Sequence, residues 1–335
     1  MIYKNFPTFG EEEARAVADT VRSGWIGRGR ETEAFEAEFC AVHGLDAGHA
    51  VAVSNGTAAL FLALHALGAR GTSVAIPTYA CQSLLHAVRA AAATPVPLDC
   101  VPGGANADLD ALPATGAAAA IVPHMFGIPQ RIVEGGIPVI EDCAHAIGAT
   151  IGGVAAGTQG TVGVFSFGAT KPITTAGAGG MVIARDARIV EAIRDYLAYY
   201  SRDDDAARFN FAFTDVQASF GRVQLRRLPE FREKRETLFA IYERAGLAPL
   251  TSPDAGARPF RFGAVVLADD ADRAIADLAA RGVPSGKEIP ETRLLCGGLP
   301  NAARFARTAV SIPMYPTLEP DACREVAEQV ARVLA

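Results

Sequence analysis

One lysine stands alone in an apolar, glycine-rich stretch near the middle of the chain. Charged residues make up 20% of the 335-residue sequence, yet from Val162 to Val182 Lys171 is the only one. A lysine in such surroundings is either a solvated loop cation or an amine that burial keeps neutral, because burial disfavours the charged form. Lysines are mostly exposed, so this residue taken alone favours the loop cation. A neutral amine, in contrast, could form a Schiff base with a carbonyl compound.

Two further predicted strand ends carry residues that could do chemistry. Glu141, Asp142 and His145 follow a short apolar run, and they could be a helix cap, a catalytic pair or metal ligands. No fourth ligand lies nearby at a metal-like spacing, which disfavours a metal site. Gly56 and Thr57 stand where another apolar run meets a helix start, and the free amides of a helix N-terminus suit a phosphate. A simple helix cap explains Thr57 equally well.

Together, these residues supply the groups that bind pyridoxal 5'-phosphate in a protein. Lys171 can form the Schiff base, Asp142 can keep the ring nitrogen protonated, and His145 can hydrogen-bond the phenolic oxygen. The glycine–threonine helix start and Ser166 can bind the phosphate. A nicotinamide cofactor fits less well, because the first predicted strand is followed by Ser54–Thr57 rather than by a GxGxxG turn.

The elements that carry these residues alternate between short apolar strands and helices. The alternation runs from Ala50 to Ala184, and a smaller series of strands and helices restarts after Thr251. Such a pattern predicts an α/β fold with a mainly parallel sheet covered on both faces. Ligands of these sheets bind at the carboxyl ends of the strands, where the polar residues cluster. The length predicts two domains, a large one over 1–235 and a small one over 236–335.

Composition and charge disfavour several classes of partner. The net charge of −6 and the absence of a basic run disfavour nucleic acid and an anionic membrane surface. No apolar run approaches membrane-spanning length, and the first residues do not resemble a signal peptide. Six irregularly spaced cysteines without a CxxC pair indicate reduced thiols rather than disulfides or a zinc site. The sequence therefore predicts a soluble cytoplasmic protein that acts on small molecules.

The ordered set of motifs resembles the DegT/StrS family of pyridoxal-phosphate-dependent aminotransferases. The matching segments follow the family's order from about Phe6 to the C-terminus. They are Ser23–Gly27, Val51–Leu60, Ile140–His145, Phe165–Phe167, Thr170–Lys171, Gly179–Met181, Asp215–Ala218 and Ile312–Pro316. The resemblance implies a fold-type I architecture, similar to aspartate aminotransferase. It has a large mixed, mainly parallel seven-stranded sheet domain, a small α+β C-terminal domain and a homodimeric assembly.

Individual positions also match those of the family. Lys171 matches the lysine that holds pyridoxal phosphate as a Schiff base, Asp142 matches the partner of the ring nitrogen, and His145 matches the residue against the ring. Three residues match the phosphate site: Gly56, Thr57 and Ser166. Asn210 matches an asparagine that reaches the phosphate bound by the other subunit. The resemblance thus implies active sites shared between two chains.

The sequence departs from the family pattern near the cofactor and the substrate. Cys81 stands where the family usually has an aromatic residue, so we expect its thiol to face the cofactor ring; alternatively, Tyr79 covers the ring. Pro284–Pro290 replaces a His-Tyr segment that often lies near the substrate. Trp25 and Arg28 are predicted substrate contacts.

These features predict a transaminase with a ping-pong reaction. An amino acid, L-glutamate by the family's habit, would give its amino group to a keto sugar, nucleotide-linked or not, in the biosynthesis of amino sugars, polysaccharides or antibiotics. Lys171 would be the base that moves the proton. A sugar dehydratase of the same family is one alternative, which Lys171 disfavours because that branch has histidine in its place. A non-catalytic regulatory protein that binds pyridoxal phosphate is the other.

Overall fold

A computed structural model describes residues 1–133, 136–198, 200 and 203–335 of the chain, which form an α/β structure. Its strands are β1 Ala50–Val53, β2 Ser73–Pro77, β3 Thr94–Leu98, β4 Ala119–Pro123, β5 Val139–Asp142, β6 Thr150–Ile151, β7 Val154–Ala155, β8 Val162–Ser166, β9 Gly180–Ile183, β10 Ala257–Arg258, β11 Ala264–Leu267 and β12 Ala309–Ile312. Its α-helices are α1 Glu11–Arg22, α2 Arg30–Val42, α3 Gly56–Ala66, α4 Gln82–Ala90, α5 Ala187–Leu197, α6 Asp215–Arg226, α7 Leu228–Arg244, α8 Ala271–Ala280, α9 Pro300–Thr308 and α10 Pro320–Leu334.

A seven-stranded sheet organises the larger part of the molecule. Its strands run in the order β1-β9-β8-β5-β4-β2-β3, and β9 is antiparallel to both of its neighbours. The other strands are parallel to one another, so the predicted mixed, mainly parallel seven-stranded sheet is confirmed. Asp142 at the end of β5 pairs with Val164 in β8. The carboxyl ends of these two strands therefore meet at one edge of the sheet.

Helices cover both faces of this sheet, because residues along its strands alternate between two cores. In β1, Val51 and Val53 face a core formed with α3, α4 and α5. Ala50 and Ala52 face a second core with α2, α6 and the start of α7. The covered faces leave the edge at the carboxyl ends of β5 and β8 as the place where polar side chains can gather.

A separate core forms in the C-terminal part of the chain. β11 and β12 make a two-stranded antiparallel sheet, and α8, α10 and the second half of α7 pack on it. The sequence pattern predicts a strand over Phe260–Leu267, whereas the observed strand starts at Ala264. Arg261 has a φ of +56°, which interrupts the extended backbone. The predicted domain boundary after residue 235 falls within α7 and stays a prediction.

Two element boundaries near the candidate site differ from those that the sequence pattern predicts. The apolar run predicts a strand that ends at Ile140, but β5 continues through Asp142, so this carboxyl group is held by a strand. The pattern also predicts a helix from Ala80, but α4 begins at Gln82. Cys81 has extended backbone angles and is the residue before the helix. Its side chain is therefore placed by a loop rather than by a helix.

Three remaining expectations concern the end of α5 with the loop that follows it, the state of the cysteines, and membrane-spanning helices. The pattern predicts a helix that ends at Tyr200 and an acidic loop over Arg202–Asp205; both include residues outside the described ranges, and α5 ends at Leu197. All six cysteines are free thiols. Within the described ranges, no helix combines the length and the apolar character that a membrane crossing requires.

Asp215 joins the first turn of α6 to the start of α2. Its carboxylate accepts hydrogen bonds of 2.8 to 3.1 Å from the N–H groups of Gly29, Glu31 and Thr32, and one of 2.7 Å from the Thr32 hydroxyl. Burial alone would raise the pKa of Asp215, but these hydrogen bonds outweigh burial and lower it. One carboxylate thus supplies the polar partners at the N-terminus of α2.

We expect Asp215→Ala to lower the free energy of unfolding by about 2–4 kcal/mol, because three amides and a hydroxyl lose their partner. Urea unfolding would measure the loss. Asp270→Ala is the matched control, since Asp270 accepts one hydrogen bond from Arg273 N–H at the exposed start of α8. Its loss should be about 1 kcal/mol. Equal losses of unfolding free energy in the two variants would show that the additional hydrogen bonds of Asp215 do not stabilise the fold.

Candidate active site

A cavity of about 310 Å³ lies at the carboxyl edge of the large sheet. Four residues singled out in the sequence line it: Cys81, Asp142, His145 and Lys171. They come from three different strand ends, and the fold brings them to one place. The C-terminal part of the chain closes the cavity with Glu288, Ile289 and Arg293.

Lys171 lies in the turn that follows β8. Its backbone N–H donates to the carbonyl of Gly168 at 3.0 Å, and its Nζ lies 5.7 Å from the ring centroid of Phe262. Burial lowers the pKa of the Lys171 amine, and the negative charge of Asp142 offsets this only in part. The structure thus places this lysine on a cavity wall rather than in a solvated loop. A lowered pKa increases the fraction of neutral, nucleophilic amine.

Asp142 lies at the end of β5 with its carboxyl group at the cavity. One oxygen, Oδ1, accepts a hydrogen bond from the N–H of Ala144 at 3.0 Å. Burial raises the pKa of Asp142, while the Ala144 amide and the charge of Lys171 act in the opposite direction. A buried carboxylate of this kind is stabilised by a cationic partner. It is therefore suited to hold a protonated ring nitrogen.

His145 lies flat against Phe262, with ring centroids 4.1 Å apart and an angle of 12° between the rings. Arg235 lies on the same aromatic ring, with its guanidinium carbon 5.7 Å from the centroid, and donates to the carbonyl of Phe262 at 2.7 Å. Burial lowers the pKa of His145 well below its usual value, and the positive charges of Lys171 and Arg235 add to this effect. His145 is therefore a neutral ring at the cavity wall.

Gly56 and Thr57 open helix α3 beside the cavity. Asn55 caps this helix by accepting a hydrogen bond from Ala58 N–H at 2.9 Å. In the described part of the chain, the amides of Gly56 and Thr57 have no hydrogen-bond acceptor. A Cβ atom at Gly56 would lie 2.8 Å from Cβ of Ser166, so glycine is needed for this close approach. Two free amides and a hydroxyl at a helix N-terminus can bind a phosphate.

Ser83 links this helix start to the cavity, although the sequence analysis did not single it out. Its Oγ lies 2.9 Å from the Thr57 hydroxyl and 3.3 Å from the Cys81 thiol. Its position near the start of a helix that follows a strand could have indicated that Ser83 lies near the site. Tyr79, the alternative cover for the cofactor ring, is buried against Phe305 with centroids 4.9 Å apart. Cys81 lines the cavity together with Ala80 and Gln82, whereas Tyr79 does not.

Three predicted site residues lie away from this cavity within one chain. Asn210 is exposed, and its side-chain oxygen accepts a hydrogen bond from the N–H of Ala212 at 3.0 Å. Trp25 is 63% exposed and lines a separate groove of about 540 Å³. Arg28 forms an ion pair of 2.7 Å with the buried Glu36. Their functional assignments stay predictions.

His124, Glu141 and Cys143 form the only cluster of the described residues that could hold a metal ion. The Glu141 carboxylate accepts four hydrogen bonds of 2.6 to 2.9 Å. The donors are Nε2 of His124 and the N–H groups of Gly157, Gln159 and Gly160. His124 Nδ1 accepts from the N–H of Gln130 at 3.0 Å, so the ring proton is on Nε2. Because these imidazole and carboxylate atoms already have protein partners, the cluster is structural.

The arrangement fits one ligand with a carbonyl group, a basic ring nitrogen and a phosphate. Lys171 faces the same cavity as the buried Asp142, and Ser166 lies close to Gly56, whose amide has no acceptor among the described residues. These are the functional groups of pyridoxal phosphate. The fold and this cavity define an α/β transferase of fold-type I that depends on pyridoxal phosphate.

The chain belongs to the DegT/DnrJ/EryC1/StrS aminotransferase family, whose model matches residues 7–255. It is 31% identical over 378 residues to dTDP-4-dehydro-2,3,6-trideoxy-D-glucose 4-aminotransferase of Saccharopolyspora spinosa, with 100% of this chain and 97% of the relative covered. It is 33% identical over 359 residues to dTDP-3-amino-3,4,6-trideoxy-alpha-D-glucose transaminase of Streptomyces venezuelae, with 95% and 93% covered.

A solved structure agrees with this assignment. The aminotransferase TlmJ from Streptoalloteichus hindustanus matches with a TM-score of 0.93 and 33% identity, over 100% of this chain and 99% of that one. The protein is therefore an aminotransferase, and aminotransferases of this family depend on pyridoxal phosphate. The expectations of family, fold class, activity and cofactor are confirmed.

Because Cys81 lines the cavity, we expect bound pyridoxal phosphate to protect it from alkylation. Cys296 is the control within the same chain, since it is the other exposed thiol and does not line the cavity. Iodoacetamide labelling of apoprotein and loaded protein, followed by peptide mass spectrometry, would measure both sites. We expect loading to slow labelling of Cys81 by roughly tenfold or more and to leave Cys296 unchanged. Equal labelling of Cys81 in both states would place its thiol away from the cofactor.

Proposed function

We propose that the protein transfers an amino group from L-glutamate to a nucleotide-linked keto sugar. The observation that carries the proposal is the single cavity that joins the amine of Lys171, the buried acid of Asp142 and the neutral ring of His145. The curated relatives support the sugar as acceptor, because both are named for dTDP-linked deoxy sugars. We further propose that the enzyme acts in the cytoplasm, with a large domain over 1–235 and a small domain over 236–335.

In this proposal, Lys171 is the nucleophile and the base. Burial lowers the pKa of Lys171 and so increases the fraction of neutral amine, which can attack a carbonyl carbon and later accept a proton. Pyridoxal phosphate, when bound, supplies the carbonyl group and a ring that accepts the electrons of the donor's Cα. Lys171 then carries the proton removed from Cα to the carbon that receives it. The same amine serves the return reaction with the keto acceptor.

Asp142, His145 and the start of α3 position the cofactor in this proposal. The Asp142 carboxylate keeps a proton on the ring nitrogen, which makes the ring a better electron acceptor. His145 is neutral and flat, so it lies against the ring without adding a second positive charge. The amides of Gly56 and Thr57 bind the phosphate, and the partial positive charge of the helix N-terminus stabilises it.

We expect borohydride reduction of the loaded enzyme to attach the cofactor to the peptide that contains Lys171 and to no other peptide. Lys171→Ala should reduce turnover by at least ~10³-fold, because it removes both nucleophile and base. It should still bind the aminated cofactor through the phosphate site. Single-turnover absorbance and peptide mass spectrometry would measure these effects.

Lys234→Ala is the matched control for this substitution. Lys234 pairs with Glu230 at 2.7 Å on the surface of α7, away from the cavity, so turnover should not change. Substantial transamination by Lys171→Ala, or attachment of the cofactor to another lysine, would contradict the assignment.

We also propose that two chains share each active site. Asn210 is exposed and outside the cavity of its own chain, and the aromatic rings next to it include Phe209, which is 60% exposed. An exposed aromatic residue beside an amide is typical of a surface that contacts another chain. The family resemblance assigns Asn210 to the phosphate bound by the partner.

Complementation would test the shared site. Lys171→Ala and Asn210→Ala should each be inactive as homodimers, provided that each substitution is severe enough. A mixture with random exchange should regain about a quarter of wild-type activity, because half of the dimers are hybrids with one intact site. Subunit exchange would be confirmed with tagged chains. No recovery despite confirmed exchange would show that each site is built within one chain.

A further inference from the structure

Glu288 is a carboxylate at the cavity that the proposed reaction leaves unused. Among the described residues, Asp142 and Glu288 are the only acids that line the cavity. Asp142 lies in the wall formed by the sheet, whereas Glu288 comes from the C-terminal part together with Ile289 and Arg293. Lys171 lines the same cavity, so the two groups face the same space. Glu288 therefore offers a carboxylate to a molecule that binds in this cavity.

Lys4 holds Glu288 in this position. Its Nζ donates to Oε1 of Glu288 at 2.7 Å, and the Glu288 side chain is 36% exposed. Lys4 is itself fixed, because its carbonyl accepts from the N–H of Met314 at 3.0 Å. The next residue, Asn5, donates to the carbonyl of Thr170 at 3.1 Å, directly before Lys171. The N-terminal segment thus ties the carboxylate of Glu288 to the turn that carries the lysine.

The second oxygen of Glu288 is left for a ligand. Oε2 has no hydrogen-bond donor in the ranges that the structure describes. An exposed ion pair contributes only about 0.2–1 kcal/mol, so the pair with Lys4 orients the carboxylate more than it stabilises the fold. A fixed carboxylate oxygen at the mouth of a cavity accepts strong hydrogen bonds from hydroxyl groups.

We propose that Glu288 binds a hydroxyl group of the acceptor sugar and makes the enzyme specific for hydroxylated keto sugars. L-Glutamate has no hydroxyl group, so a hydroxyl bound by Glu288 belongs to the acceptor. The inference rests on the proposed function and extends it. The acceptor proposed here differs from the 2,3,6-trideoxy sugar for which the Saccharopolyspora spinosa relative is named.

The test compares two acceptors that differ in hydroxyl groups. One is dTDP-4-dehydro-6-deoxy-D-glucose, and the other is dTDP-4-dehydro-2,3,6-trideoxy-D-glucose, which lacks the hydroxyls at C2 and C3. We expect wild-type kcat/KM to be roughly 10- to 100-fold higher for the hydroxylated sugar, the value of one charge-assisted hydrogen bond. In Glu288→Met the kcat/KM values for the two sugars should be about equal. The two enzymes and the two acceptors form a double-mutant cycle, which measures the coupling between Glu288 and the hydroxyl group.

Two further variants test whether the preference for the hydroxylated sugar depends on hydrogen bonding by Glu288, rather than on its charge or on any substitution in this region. Glu288→Gln keeps an acceptor oxygen without the charge, so it should retain part of the preference. Charge alone would leave the preference unchanged, because both sugars carry the same anionic dTDP group and removal of a negative charge affects them equally. Glu291→Gln is the matched control: Glu291 pairs with Arg307 at 2.6 Å outside the cavity, and this variant should keep the wild-type preference.

The donor half-reaction shows whether the variants are intact. The rate at which L-glutamate decreases the cofactor absorbance should change less than about threefold in Glu288→Met, because Lys171 and Asp142, which act in this half-reaction, are unchanged. A wild-type preference that persists in Glu288→Met, or no preference in the wild type, would overturn the inference and leave the proposed function intact. If the wild type aminates neither sugar, the proposed function itself fails and the inference fails with it.

Discussion

The buried carboxylate of Glu141 fixes the geometry on which the site depends. It accepts hydrogen bonds from His124 and from three backbone amides of the loop between β7 and β8. Burial alone would raise the pKa of Glu141, but these hydrogen bonds and the proximity of His124 outweigh it and lower the pKa. Because successive side chains of a strand point to opposite faces, fixing Glu141 on one face directs Asp142 to the other. Glu141 is thus a structural residue that directs the side chain of Asp142 toward the cavity.

The grouping of several candidate site residues could be predicted from sequence because they lie at the ends of short strands. Lys171, Asp142 and Ser166 each follow or end an apolar run, and parallel strands bring such ends to one edge. In the sequence, Thr214 and Gln217 also have the spacing of a capping box, and both hydrogen bonds of the box are present in the structure. A pattern of this kind can be predicted because the residues that hydrogen-bond lie within a few positions of each other in the sequence.

Other parts of the site could not be predicted, because they depend on contacts between distant segments. Phe262 reaches His145 only after the chain has left the large sheet and returned. Its neighbour Arg261 has left-handed backbone angles, which no pattern of apolar residues reports. Glu288 approaches Lys171 from the C-terminal part, and its partner Lys4 comes from the N-terminal segment. The sequence pointed to Pro284–Pro290 as a segment near the substrate, but the contacts that place Glu288 at the cavity depend on tertiary packing.

Helix α7 links the two sides of the cavity. Phe231, in its first half, belongs to the core of the large sheet, while Leu238 and Tyr242 belong to the C-terminal core. Between them, Arg235 is fully buried and donates to the carbonyls of Phe262 and Met314. Burial lowers the pKa of Arg235 to about 9, and its neighbours are carbonyl oxygens and aromatic rings. A movement of the C-terminal part would therefore move the ring on which His145 lies.

The pairing of β1 with β9 ties the candidate phosphate site to distant parts of the chain. The turn before α3 follows β1, and a Cβ atom at Gly180 in β9 would lie 2.5 Å from the carbonyl oxygen of Asn55. These two strands are separated by most of the large sheet in sequence, and the entropy cost of closing such a long loop must be met before the pairing stabilises the fold. The shape of this turn is therefore a property of the assembled sheet rather than of a local segment.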